Sequence, residues 1–173
     1  AVDETTVINT READGNNASF VQVDGALTGE GTNFVVDFDI ANADNKAHSN
    51  KDGVYSDYIY LNGNSVGSHN IWLDNADTKA VFDELHPTKK IFFAHEADKV
   101  ATFANGVTSF GETKFDVIGN FGTGEGKDGE YASLIDQARI RDNYIYNYKF
   151  VVDKETGNQG GYDWYVGMES TGD

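Results

Sequence analysis

The residues of this chain best suited to chemistry are aromatic rings set beside amides and carboxylates. In Tyr162-Asp163-Trp164-Tyr165, strand alternation puts Tyr162 and Trp164 on one face and Asp163 and Tyr165 on the other. This segment follows the run Gly157-Asn158-Gln159-Gly160-Gly161, whose glycines carry no side chain and so leave room for close approach. Asn70-Ile71-Trp72 is a smaller cluster of the same kind, although Trp72, between Ile71 and Leu73, reads more readily as a core residue. Tyr144 to Val152 places Tyr144, Tyr146, Tyr148, Phe150 and Val152 on one face. A ring face gives a sugar ring apolar contact, and neighbouring amides and carboxylates orient its hydroxyls. The expected chemistry is therefore recognition of a polyol. The expected site is Tyr162 and Trp164 with Asp163 or Asn158 as polar partners, and Trp72 and Tyr146 as further ligand contacts. Two opposing readings accompany it. Trp164 could plug the core as a large apolar residue, and the tyrosine stripe, running on into Phe150 and Val152, could face inward.

Bond-breaking chemistry finds less support. Glu84, Glu96, Glu112, Glu125, Glu130, Glu155 and Glu169 are available, but none lies in a strand-borne Glu-x-Asp-x-x-Glu arrangement of the kind sandwich glycosidases use. A Ser/His/Asp set is weaker still, because His48, His69, His86 and His95 are scattered, and they also lack metal-ligand spacing. The chain is expected not to be an enzyme. Oxygen-rich loops are the better metal candidates. Asp14-Gly15-Asn16-Asn17 and Asn42-Ala43-Asp44-Asn45 cluster the hard ligands calcium takes, with Asp14, Asn16 and Asp44 as the expected contacts to a structural Ca2+.

The elements that must position these residues are strands. Phe34-Val35-Val36-Asp37-Phe38-Asp39-Ile40 alternates strictly, so Phe34, Val36, Phe38 and Ile40 are expected in the core, with Phe150 and Val152. Ser19–Asp24, Ser56–Leu61, His69–Leu73, Lys90–Ala94, Val100–Phe103, Lys114–Ile118, Ala132–Arg141, Tyr144–Val152 and Asp163–Gly167 read as further strands. Asn- and Gly-rich turns such as Asn62-Gly63-Asn64 separate them. Asp77 to Leu85 fits a short helix with Asp77 as N-cap and Pro87 as a stop, while Lys79–Phe82 fits a strand equally well. The expected fold is all-β: a single domain over residues 1–173, an antiparallel two-sheet β-sandwich of jelly-roll type with little helix.

Two strings carry a family resemblance. Ala132-Ser133-Leu134-Ile135-Asp136-Gln137-Ala138-Arg139-Ile140-Arg141 resembles the Ile-Asp strand of laminin-G-like and concanavalin-like jelly rolls. Tyr148-Lys149-Phe150-Val151-Val152-Asp153-Lys154-Glu155-Thr156-Gly157 resembles a strand–turn element of carbohydrate-binding modules. The resemblance implies a two-sheet jelly roll that binds glycans and often holds a structural calcium.

Charge narrows the partners. The 173 residues carry 13 Lys+Arg against 29 Asp+Glu, a net charge of −16. That disfavours nucleic acid and anionic membrane surfaces as partners. Cysteine is absent, which removes disulfides and thiol chemistry. Acidity with abundant Asn, Gly, Thr and Tyr points to a secreted or surface-attached bacterial protein. The leading expectation is a monomeric, non-catalytic polysaccharide-binding module of a larger protein. The rival from another class is a structural or adhesin domain of a cell-surface protein.

Overall fold

The computed structural model describes residues 7–9, 20–28, 30–41, 56–98, 112–122, 130–140, 147–157 and 160–170. The strands in chain order are β1 (Val7–Asn9), β2 (Phe20–Val23), β3 (Asn33–Val35), β4 (Tyr58–Leu61), β5 (Gly67–Trp72), β6 (Ile91–Glu96) and β7 (Thr113–Asn120). β8 (Tyr131–Ser133), β9 (Ala138–Ile140), β10 (Asn147–Thr156) and β11 (Tyr162–Ser170) complete them. One helix, α1 (Asn75–Glu84), lies between β5 and β6. The strands form two sheets, ordered β1-β3-β5-β7-β8 and β2-β4-β6-β11-β10-β9. The expected strand at Val100–Phe103 lies outside the described residues.

From β1 to β7 every strand joins the sheet opposite the one before it. A chain that crosses over and returns arrives running the same way, so β1, β3, β5 and β7 pair in parallel, as do β2, β4 and β6. The winding is that of a short solenoid. Antiparallel pairing enters at the finish, with β8 on β7, β11 on β6, β10 on β11 and β9 on β10. The sheets are therefore mixed, which corrects the expectation of an antiparallel jelly roll. The physical reason is visible at Asn62-Gly63-Asn64, which reads as a hairpin turn. Here it carries the chain from β4 in one sheet to β5 in the other. Corners of successive rungs stack: Asn62 N–H donates to Val23 O (2.9 Å), and Leu27 bridges Ser65 in parallel. A Cβ at Gly63 would lie 2.3 Å from Gly25 O, so only glycine allows that stacking.

The alternation sorts the side chains as expected. Phe34, Val36, Phe38, Ile40 and Phe150 are buried, and Val152 is half-buried against the same core. Ile71 from β5, Phe115 and Val117 from β7, and Ile59 and Leu61 from β4 meet them between the sheets. β6 is buried almost throughout, and the pairing with β11 shifts register at Trp164/Tyr165, passing over Phe93. The Phe93 ring stacks on Phe38 (centroids 6.4 Å apart) and meets Phe115 edge-on (5.5 Å).

The N-cap of α1 lies three residues before the expected one. Asp74 is the N-cap, its Oδ1 accepting from Asp77 N–H at 2.8 Å, so Asp77 sits in the first turn. Thr78 and Val81 face inward, followed by Leu85 at the cap, and Phe82 meets Phe121 and Phe150 edge-on. This spacing of three and four residues suits a helix, which settles Lys79–Phe82 as helical rather than extended. The Ala132–Arg141 string is also not one strand. It ends β8, makes a 3-10 turn over Leu134–Asp136, and enters the other sheet as β9. Leu134 is the buried pivot.

Candidate functional site

The expected cluster around Tyr162 and Trp164 does not assemble as a platform. Trp164 is 5% exposed; its Nε1–H donates to Glu96 Oε1 at 3.1 Å and its ring meets Phe115 edge-on. Tyr162, on the same face at the strand end, is exposed, with Lys154 Nζ 4.3 Å from its ring centroid. Asp163 points to the opposite face and is buried, bonded to His95 Nδ1 (2.8 Å). The space beside the glycines belongs to the chain itself. A Cβ at Gly161 would lie 2.1 Å from Glu96 O, and one at Gly160 would lie 2.5 Å from Asp98 Oδ2. Asn158, Tyr146, Asp14, Asn16 and Asp44 lie outside the described residues.

Trp72 stands on an outer sheet face among other polar and aromatic side chains. On β5, His69 and Ile71 turn inward, so Asn70 and Trp72 face out. Register then builds the outer face of the first sheet. Asn33, Asn70 and Asp116 form one row across β3, β5 and β7, and Val35, Trp72, Ile118 and Ser133 form the next. Asn120 pairs with Tyr131 at the edge. Asn33 Oδ1 accepts from Asn70 Nδ2 (3.0 Å) and from Trp72 Nε1 (2.7 Å). Ser133 Oγ donates to Asp116 Oδ1 (2.8 Å), and Asn120 Nδ2 donates to the Tyr131 hydroxyl (3.2 Å). The Trp72 and Tyr131 rings meet edge-on, centroids 4.8 Å apart; Trp72 is half-buried and Tyr131 is 49% exposed. These bonds fix the positions of the rings and amides. Lys114 stands two residues before Asp116 on the same face and is exposed.

Sequence reasoning named Trp72, while favouring a core position for it, and did not single out Tyr131, Asn33, Asp116 or Asn120; the structure leaves Trp72 half-buried on an outer face. Tyr131 and Asn33 each stand one residue before an expected strand. Extending the alternation back by one position marks both as outward.

At the other end of the core, polar groups are buried together. Ser65 Oγ contacts Glu96 Oε2 (3.3 Å) and Thr113 Oγ1 (2.8 Å). His69, 1% exposed, accepts at Nδ1 from Thr32 N–H (3.3 Å), and its Nε2 meets Val66 O (2.9 Å). Both contacts are made by a neutral ring with its proton on Nε2. Burial pushes the imidazole below its ordinary value, outweighing the Val66 carbonyl and the Glu30 charge, which push it up. The unfolded chain, with His near 6.5, then binds more protons than the folded one as the solution is acidified. This contribution to stability is complete above about pH 6.5 and is lost as the pH falls through the lowered folded value. Urea midpoints measured from about pH 7.5 to 5 should fall more steeply for the native chain than for His69→Gln. Equal slopes would remove His69 as the cause.

Three carboxylates, Asp37, Asp74 and Asp77, have oxygens within 4.8 Å of one another where α1 begins. Asp37 is buried, with its N–H donating to Asp57 Oδ2 (3.0 Å), and Phe38 N–H donates to Asp77 Oδ2 (3.3 Å). Such a set is chemically suited to a hard cation.

No family model, curated protein or solved structure matches the chain. Among the described residues, no helix is long and apolar enough to cross a membrane.

Proposed function

We propose that the chain is a non-catalytic carbohydrate-binding module of a secreted or surface-attached bacterial protein. Its polysaccharide lies on the outer face of the first sheet. The observation that carries the reading is the Trp72–Tyr131 ring pair, held by Asn33 and Asn120, with Asn70 and Asp116 in the adjoining row. The exposed Tyr131 ring offers a sugar its apolar contact. The amides and the carboxylate supply both donors and acceptors for hydroxyls. Register sets an amide, Asn70, opposite Asp116. In this proposal the glycan-binding likeness to laminin-G-like and concanavalin-like modules is kept, on sheets that are mixed.

A polysaccharide pull-down and a glycan array test it with Tyr131→Ala. Binding should weaken by at least about tenfold, or 1.4 kcal/mol. The melting temperature should hardly move, because exposed substitutions usually stay within about 0.5 kcal/mol. A folded Tyr131→Ala protein that binds as tightly as the native chain would overturn the placement.

A structural calcium belongs to the same proposal, at Asp37, Asp74 and Asp77, where a cation would neutralise charges that α1 and the strand core bring together. Binding to the folded state alone would add about 2.7 kcal/mol at a hundredfold excess over Kd. Calcium should raise the melting temperature and EDTA lower it. An unchanged melt in EDTA, with no metal by elemental analysis, would end this part of the proposal.

A further inference from the structure

The second sheet also presents an ordered outer row. Registered pairing sets Gln22, Tyr60, His95, Asp163 and Glu155 side by side across β2, β4, β6, β11 and β10. At its centre Asp163 Oδ1 lies 2.8 Å from His95 Nδ1. A carboxylate at Nδ1 holds the ring proton there and leaves Nε2 as an acceptor. Among the described residues Nε2 has no partner, and the His95 side chain is 23% exposed. Gly157 packs against this pair: a Cβ there would come 3.1 Å from Asp163 Oδ2 and 3.4 Å from His95 Cε1, besides striking Gly160 O at 2.7 Å. Gly157 packs against both groups, and the imidazole keeps more exposure than the carboxylate, 23% against 11%.

The neighbours of His95 suit a sugar. Tyr60 stands next in the row with its hydroxyl. Burial and, second, the Asp163 charge push the phenol above its ordinary value, so it remains a donor. Phe20, two residues before Gln22 on the same face, is 41% exposed and meets the Tyr60 ring edge-on at 6.1 Å. The carboxylates on the row already have partners. Glu155 Oε2 is paired with Lys90 Nζ at 3.0 Å, and Asp163 is bonded to His95. An uncharged ligand with many hydroxyls fits such a surface, and an anion in a chain of net charge −16 does not.

We infer that this row is a second sugar-binding site, on the outside of the other sheet, so that one module contacts two neutral polysaccharide chains at once. The inference rests on the glycan-binding reading above. NMR titration with cellohexaose, xylohexaose and mannohexaose tests it, following the ring resonances of His95 and Tyr60 and, separately, those of Trp72 and Tyr131. Both sets should shift, with independent saturation. His95→Gln and Tyr60→Phe should each weaken the first set by about tenfold, the size of one lost hydrogen bond, and leave the second unchanged. Tyr131→Ala should do the reverse. Shifts confined to Trp72 and Tyr131 would overturn the second site and keep the proposed function. Shifts at neither set with any of the three sugars would overturn both.

Discussion

Trp164→Ala is expected to lower stability by about 3–5 kcal/mol, the usual range for emptying a large buried aromatic site. The ring is 5% exposed and packs edge-on against Phe115 at 5.2 Å, which in turn touches Phe93 and His69. The substitution leaves a void between the sheets. It also removes the Nε1–H that donates to the buried carboxylate of Glu96, and a buried acceptor that loses a donor costs a further share. Trp164→Phe separates the two effects, since it keeps most of the ring and loses only the donor. The order of urea midpoints should be native, then Phe, then Ala. Glycan binding by the folded fraction of either variant should match the native chain, because the proposed contacts lie on the outer faces. A Trp164→Ala protein with a native midpoint and no glycan binding would return Trp164 to the role of an exposed platform.

Gly161→Ala is expected to cost more than about 2 kcal/mol. Its φ of +68° lies in the left-handed region, which alone costs an L-residue about 1–2 kcal/mol. The added Cβ would also stand 2.1 Å from the carbonyl oxygen of Glu96 and 3.1 Å from Ala97 Cα, both backbone atoms that can move only if the β6–β11 pairing opens. The register there, Tyr162 opposite Glu96, starts the β11 strand and sets which face Trp164 takes. Gly25→Ala is the control. Nothing lies within 4 Å of a Cβ at that position, so its midpoint should stay within about 0.5 kcal/mol of native. Equal midpoints for the two variants would show that the 160–161 corner is not tightly packed.

Sequence alone determined the faces of the strands. A period of two, set by the pleat, fixes that Phe34, Val36, Phe38 and Ile40 share a side, and burial follows because apolar groups leave water. The same rule separated Asp163 from Trp164 and paired Trp164 with Tyr162. Composition determined the charge and so disfavoured polyanionic partners. Tertiary structure decided which sheet each strand joined. A turn such as Asn62-Gly63-Asn64 bends the chain with the same residues whether it closes a hairpin or passes a corner, because positive or tight φ is local and strand partners are not. The rungs are also unequal in length. Phe34 faces Ile71, which faces Val117, with different numbers of residues between, so no repeat shows in the chain. The Trp72–Tyr131 face was illegible for the same reason: Asn33, Trp72, Asp116 and Tyr131 come from four strands, and only lateral hydrogen bonding across β3, β5, β7 and β8 brings them together. The burial of Trp164 was decided there as well. Alternation says which side a ring takes, but the presence of Phe115 from the opposite sheet makes that side the interior.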